Sequence, residues 1–355
     1  MMLKKKILIC DPLSYSGHFN YNYGIIRATK QHYDVGIVVN KQTFDKLLKT
    51  GIDKDSFDFV FPTEWGIVPL SKRMNKVFYH LVSRFYVLMV LLKTLKLSKN
   101  YDAVIFTCTD IFTFCIVSWF FNKRCFVVDH GIGNVKSKKL YRLAWNITNK
   151  NVNMIVLEPF IKEMVEENIK KRNVFVIRHP LPKIYYKQPK KDTKGILLFS
   201  PSGSNDESFI KELCQYDICS NIRVVVKSHQ INYKSDRVVV YNSYITNEEY
   251  QNYLSDCDYM LLAYESSYNY RISAVLFESL ILGKPVLLYS NNTLSIYKEI
   301  FPNSVFLFKS VKEMLDIITE GYVPKTEENL KLYQDEVISN VIMEMIESTC
   351  SIAKY

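Results

Sequence analysis

Short, nearly continuous runs of Val, Ile, Leu and Phe recur along the chain, separated by helix-sized segments in which apolar residues fall about every third or fourth place. In the first half the runs are 6–11, 34–40, 58–62, 103–108, 124–130, 154–158 and 174–179. Apolar runs that are continuous rather than alternating indicate strands covered on both faces, and therefore a parallel α/β sheet. The pattern breaks at HPLPKIYYKQPKKDTKG (179–195), where prolines and lysines replace any periodicity, and this is the natural linker. It restarts with runs at 195–201, 222–229, 237–242, 258–264, 285–290 and 304–308; only the step between 229 and 237 is too short for a helix. Residues 326–350 follow with the period of an amphipathic helix.

These patterns predict two Rossmann-like domains facing each other across a cleft. The expected boundaries are 1–178, a linker at 179–194, a second domain at 195–325, and a C-terminal helix at 326–355 that packs back on the first domain. A length of 355 residues with 48% hydrophobic content supplies two cores. The longest apolar stretches, 77–92 and 103–121, carry His80, Arg84 and Asp110 within them. Neither reaches the ~20 uninterrupted apolar residues of a spanning helix, so they read as a buried helix and a strand-turn-helix. Lys4–Lys6 run straight into a strand-like ILIC rather than a signal peptide, and a cytoplasmic location is expected. The eight cysteines show no metal-ligand spacing and sit mostly in apolar runs, as reduced core residues do.

The formal net charge of +10 suits an anionic partner, either a phosphorylated metabolite or the anionic inner face of a membrane; a plain solvated surface accounts for it equally well. Nothing resembles a nucleic-acid motif, so none is expected as a partner. Segment 71–97, basic at both ends with aromatics between, suits a helix lying at an anionic interface. A core helix with solvated ends is the competing reading.

In open α/β sheets ligands bind outside the carboxyl ends of the strands. After the first strand, Gly17, His18 and Asn20 stand where a loop opens a helix, a place suited to an acceptor or an anion. Of six histidines, His18, His130, His179 and His229 lie at strand exits, where an imidazole can move protons near neutral pH; His179, beside Pro180, reads as structural. Asp129 and His130 precede two glycines, and an acid beside a histidine there is a candidate general base. A turn that needs Gly131 and Gly133 for positive φ is the alternative. In the second half, Ser202 and Gly203 form a tight turn able to hold a phosphate on backbone N–H groups, and Lys227 and His229 offer a cation and a proton donor at a strand end. Arg271 and Ser273 fall at the start of the predicted helix ISAVLFESLILG, where the helix dipole favours phosphate. Glu278, about a turn and a half further on, is placed to accept from paired hydroxyls such as those of a ribose.

Glu278 with SLILGKPVLLYS (279–290) resembles the nucleotide-sugar region of GT-B fold glycosyltransferases, in particular the retaining group that carries E-x7-E before a GKPV-type strand entry. The resemblance implies that Glu278 holds the nucleotide ribose and that backbone near Arg271 and Ile272 meets the diphosphate. The position of the first glutamate is Tyr270 here; Glu265 is a substitute at a different spacing. Asp129-His130-Gly131 and Lys227-Ser228-His229 are also similar, incompletely, to motifs of bacterial capsule transferases of the sialyltransferase type. These likenesses imply transfer of a sugar from a nucleotide-sugar donor to a glycan or lipid-linked acceptor in cell-surface polysaccharide assembly. The candidate catalytic residues are His18, Asp129 and His130. No DxD-like acidic pair stands at a strand end, so neither metal nor other cofactor is expected. A nucleotide-sugar 2-epimerase and a catalytically silent GT-B partner subunit are the alternatives.

Overall fold

The computed structural model describes residues 4–14, 18–63, 76–169, 172–183, 195–322 and 327–352. The chain divides into two compact units, Met1–Pro180 with Leu332–Tyr355, and Leu181–Lys331. Most of the expected linker, and Lys72 and Arg73 of the basic segment, fall outside the described residues.

The first unit holds a seven-stranded, wholly parallel sheet. Its strands are β1 (Lys6–Cys10), β2 (Asp34–Asn40), β3 (Phe57–Phe61), β4 (Ala103–Phe106), β5 (Arg124–Val128), β6 (Val152–Val156) and β7 (Val174–Val176), in the order β3-β2-β1-β4-β5-β6-β7. β1, β4 and β6 are buried along almost their whole length, as continuous apolar runs require. The chain leaves β1 toward β2 on one side and returns to β4 on the other. β1 and β4 therefore flank the topological switch point, where side chains splay apart and leave a crevice.

Helix Asp335–Ile352 belongs to this unit. It lies along helix Phe19–Lys30, with Asp335 ion-paired to Arg27 at 2.7 Å and Ser339 Oγ donating to the Ala28 carbonyl. Ahead of it, Tyr333 OH donates to the buried Glu158 at 2.8 Å.

Right-handed crossovers put helices Lys76–Leu97, Ile111–Val117 and Lys139–Ile147 on one face of the sheet, opposite helices Phe19–Lys30 and Lys41–Lys49. The first of these departs from the buried helix read in the sequence. Val87, Val90, Leu91 and Thr94 face the sheet, but Phe78, Leu81, Phe85, Met89 and Leu92 form an exposed stripe on the outer side. Being apolar all round reflects two apolar faces of which only one is covered within the unit. No described helix is long and apolar enough to cross a membrane.

The second unit repeats the plan. Its strands are β8 (Ile196–Ser200), β9 (Ile222–Lys227), β10 (Tyr233–Lys234), β11 (Val238–Tyr241), β12 (Tyr259–Leu262), β13 (Val286–Tyr289) and β14 (Val305–Phe308), in the order β10-β11-β9-β8-β12-β13-β14. β10 pairs antiparallel to β11 at the sheet edge. It occupies the step too short for a helix, and at two residues it leaves no legible apolar run. The switch point lies between β8 and β12. Gly283, at φ 66°, ends helix Ala274–Ile281, and Lys284 N–H returns to the Ser279 carbonyl at 2.9 Å, a glycine C-cap. Seven of the cysteines are unpaired thiols, most of them buried.

Candidate functional site

In the first unit, the polar residues converge where β1, β4 and β5 end. Asp11, fully buried just past β1, accepts from Leu13 N, Ser14 N and, at 2.6 Å, Asn22 Nδ2. It ties the β1 exit to helix Phe19–Lys30. His18 begins that helix, and Asn20 lies half-buried in its first turn, whereas Asn22 is the asparagine that turns to the buried acid. Gly17 lies outside the described residues.

His18 and His130 stack with ring centroids 4.3 Å apart, and Tyr21 meets His130 edge-on and His179 at a tilt. His130 Nε2 is 3.0 Å from the Thr107 carbonyl. A carbonyl can only accept, so Nε2 carries the proton and Nδ1 the lone pair. Burial, reinforced by His18 and His179, holds His130 well below the ordinary histidine range. Burial also lowers His18, against the opposing charge of Asp11. Both rings are therefore neutral near pH 7.

Asp129 accepts from Tyr141 OH at 2.6 Å, Trp145 Nε1 at 2.8 Å and Gly131 N at 2.8 Å. Burial raises its pKa, while these donors pull it down. Gly131 and Gly133 are not in the left-handed region, so the alternative reading, a turn that needs them for positive φ, does not hold. A Cβ on Gly131 would instead stand 3.0 Å from Tyr141 OH and 3.3 Å from Asp129 Oδ1; the missing side chain makes room for the Asp129–Tyr141 pair.

Sequence reasoning missed a set of polar oxygens, three hydroxyls and one amide oxygen, around these histidines. Tyr21 OH, Asn22 Oδ1, Thr107 Oγ1 and Thr109 Oγ1 are buried with no partner among the described residues. Unpaired buried polar atoms carry a cost of ~1–3 kcal/mol each, which a bound hydroxylic ligand or water can relieve. Threonines after an apolar strand were the only available signal. Asp11, His18 and Cys108 also bring three potential metal-ligand atoms within 4.8 Å of one another. Asp11 is already committed to loop donors, and burial keeps the Cys108 thiol well above its ordinary range, so these groups read as packing.

In the second unit, the loop after β8 is pinned by Asn205, whose Nδ2 donates to Ser200 Oγ, the Ser202 carbonyl and the Lys227 carbonyl. Gly203 allows a close approach: a Cβ there would stand 2.7 Å from His229 Cε1. Ser202, Gly203, Lys227 and His229 are thus gathered round one loop, as their places at neighbouring strand ends predict. Lys227 is buried, with its ammonium 3.4 Å from the Tyr244 ring centroid and no carboxylate partner among the described residues. Helix Glu207–Gln215 does not present its N-terminus to an anion, because Asp206 caps it by accepting from Ser208 N and Phe209 N. Glu207 in turn accepts from Ser228 Oγ and His229 N.

The β12 exit meets this loop at Tyr264. Glu265 N donates to the Ser204 carbonyl and Asp206 N to the Ala263 carbonyl. Tyr264 stacks on Tyr268 at 4.1 Å, its hydroxyl 2.6 Å from Ser273 Oγ. Ser273 also caps helix Ala274–Ile281 by accepting from Leu276 N, so its hydroxyl is already engaged. Arg271 is exposed, with its guanidinium over the Tyr268 ring, and the Ile272 carbonyl accepts from Tyr268 OH. The Glu265 carboxylate is exposed and accepts from Ser267 Oγ. Tyr270 adopts φ 59°, a conformation costing a non-glycine residue of order 1–3 kcal/mol and recurrent at ligand sites. Glu278 is nearly buried and accepts from Tyr250 OH, a contact that orients its carboxylate.

No family model and no curated protein match the sequence. Solved structures do. A putative UDP-N-acetylglucosamine 2-epimerase from Listeria monocytogenes superposes with a TM-score of 0.62 at 13% identity, over 98% of each chain. The lipopolysaccharide outer core galactosyltransferase WaaB gives 0.60 at 13%, over 97% of this chain and 99% of that one. HepE of Anabaena, solved with UDP and glucose, gives 0.59 at 12%, over 99% and 98%. The two Rossmann-like units are those of the GT-B fold.

Proposed function

We propose that the protein is a metal-independent glycosyltransferase that moves a sugar, a hexose or a close relative, from a nucleotide-sugar donor to a glycan or lipid-linked acceptor. The observation that carries this reading is the loop 202–204 at the second switch point. There Lys227 and His229 meet a glycine turn, while the nearby helix N-terminus is closed by Asp206. A buried cation without a carboxylate partner among the described residues is placed to bind an anion, and a diphosphate leaving group is one. Arg271 adds charge at the neighbouring strand exit, and Glu278, oriented by Tyr250, is assigned the ribose hydroxyls. In the first unit His18, His130 and Asp129 are assigned the acceptor hydroxyl. The setting we infer is capsule or other cell-surface polysaccharide assembly on the cytoplasmic side of the membrane, with the protein attached peripherally.

The direct test is isothermal titration with UDP-, GDP-, CMP- and dTDP-sugars, followed by detection of nucleotide released in the presence of acceptor glycans. Release of a free isomerised sugar nucleotide without acceptor would favour the 2-epimerase reading; no binding of any nucleotide would favour a silent subunit. Glu278→Ala should weaken nucleotide affinity by ~1.5–3 kcal/mol, the value of a hydrogen bond to a charged group, and an unchanged Kd in the folded variant would move the ribose site elsewhere. Transfer should persist in EDTA, since Lys227 and Arg271 supply the positive charge; loss of activity that Mn²⁺ restores would refute this.

A further inference from the structure

Of the fourteen exposed large apolar side chains among the described residues, eleven lie on one face of the first unit, on helices Lys76–Leu97 and Lys139–Ile147 and on the segment 111–120. The three elements are neighbours: Arg84 reaches Asp110 at 3.5 Å, the Phe112 ring meets Tyr141, and Trp119 Nε1 donates to the Ile147 carbonyl at 2.9 Å. Along the first helix the exposed stripe advances by three and four residues, from Phe78 through Leu81 and Phe85, which is one helix face. Leu140, Leu143 and Ile147 repeat that spacing on the other helix, and Ile116, Trp119 and Phe120 lie between them. A contiguous apolar face of this kind marks an interaction surface.

The charge around it selects the partner. Residues 76–150 contain twelve lysines and arginines against three aspartates and no glutamate. Of the aspartates, Asp129 is buried, Asp110 is paired with Arg84, and Asp102 accepts from the Lys6 amide. None of the three helices carries a carboxylate, while Lys96, Lys136, Lys138 and Lys139 are exposed at their edges. A protein partner with mixed charge would meet no complementary acids here. An anionic bilayer meets both features, the apolar face entering the acyl boundary and the lysines reaching the headgroups.

We infer that this three-helix face docks on an anionic lipid surface. The inference deepens the transferase reading, because a lipid-linked acceptor is presented at such a surface, but the surface itself is tested without it. The probe is co-sedimentation, in the absence of nucleotide, with phosphatidylcholine vesicles that do or do not contain phosphatidylglycerol. Binding to the anionic vesicles only, released by salt, is expected. The triple variant Lys136→Glu, Lys138→Glu, Lys139→Glu should lose on the order of a hundredfold in vesicle affinity, at ~1 kcal/mol per cation removed. Leu81→Ser with Leu140→Ser should lose binding without changing the salt dependence of what remains. The double reversal Lys211→Glu with Lys234→Glu, in the second unit, should leave binding intact. Failure of the wild type to pellet, equal binding to neutral vesicles, or a concentration-dependent dimer abolished by Leu81→Ser with Leu140→Ser would each overturn the docking surface. Nucleotide binding and release with a water-soluble acceptor are measured separately, so loss of one reading leaves the other standing.

Discussion

Replacing Lys227 with methionine should weaken binding of a nucleoside diphosphate sugar by about 10- to 100-fold while leaving the fold intact. The expectation rests on how little other positive charge the loop offers. The N-terminus of helix Glu207–Gln215 is occupied by Asp206, and Glu207 already takes the His229 amide. Lys227 is buried at the end of β9, with Tyr244, itself 89% exposed, over its ammonium. A charge-assisted hydrogen bond contributes ~1.5–3 kcal/mol, which is one to two decades of affinity. Methionine keeps the length of the stem, so its packing survives and the loss isolates the charge. Burial lowers the pKa of Lys227, so binding should also weaken with rising pH sooner than an ordinary lysine would allow. Titration calorimetry of the variant against the preferred nucleotide decides it; an unchanged Kd with an unchanged thermal midpoint would move the phosphate site off this loop.

Both sheets were legible because parallel strands covered on two faces write themselves as unbroken apolar runs, and helices between them as periodic ones. The edge strand β10 was not, since two residues paired on one side leave no such mark. The outward stripe from Phe78 to Leu92 was hidden for a related reason. Apolarity around a whole helix reports that each side avoids water, not which neighbour covers it. The candidates Lys227, His229, His130 and Asp129 could be singled out by position because strand exits in an open sheet are where side chains reach a ligand. Position did not find the contacts that determine what those residues do. Tyr250 on Glu278, Tyr141 and Trp145 on Asp129, and Tyr264 on Ser273 all come from helices or loops whose register against the sheet only tertiary packing sets. Gly131 illustrates the same limit: what lies against it is the Tyr141 hydroxyl and the Asp129 carboxylate, and its backbone does not turn left.

The first unit should lose stability as the pH falls from about 6.5 toward 4, before its carboxylates titrate in bulk. His179 is buried beside Tyr21, and its Nδ1–H donates to the Pro180 carbonyl at 2.8 Å. Pro180 in turn packs so closely that a Cβ on Gly24 would stand 2.3 Å from it, and His179 itself is buried, so a charged ring would be poorly hydrated. Burial pushes His179 down to about 4, against ~6.5 for an exposed histidine in the unfolded chain. Between those values the unfolded chain binds the proton and the folded one does not, so each pH unit of acidification removes ~1.4 kcal/mol, or ~3 kcal/mol across the window. His130 and His18 are displaced in the same direction and add to the loss. Asp129 opposes it, because its raised pKa lets the folded unit take up a proton before the unfolded chain does. The described tryptophans, Trp119 and Trp145, belong to this unit and residues 181–331 contain none, so urea unfolding followed by tryptophan fluorescence reports on it. His179→Asn keeps a donor for the Pro180 carbonyl but cannot titrate, and should make the dependence between pH 6.5 and 4 shallower by the share of His179, leaving that of His130 and His18. A stability that stays level over that range in the wild-type protein, or a slope that the asparagine leaves unchanged, would show that these buried rings are not the groups that make the unit sensitive to acid.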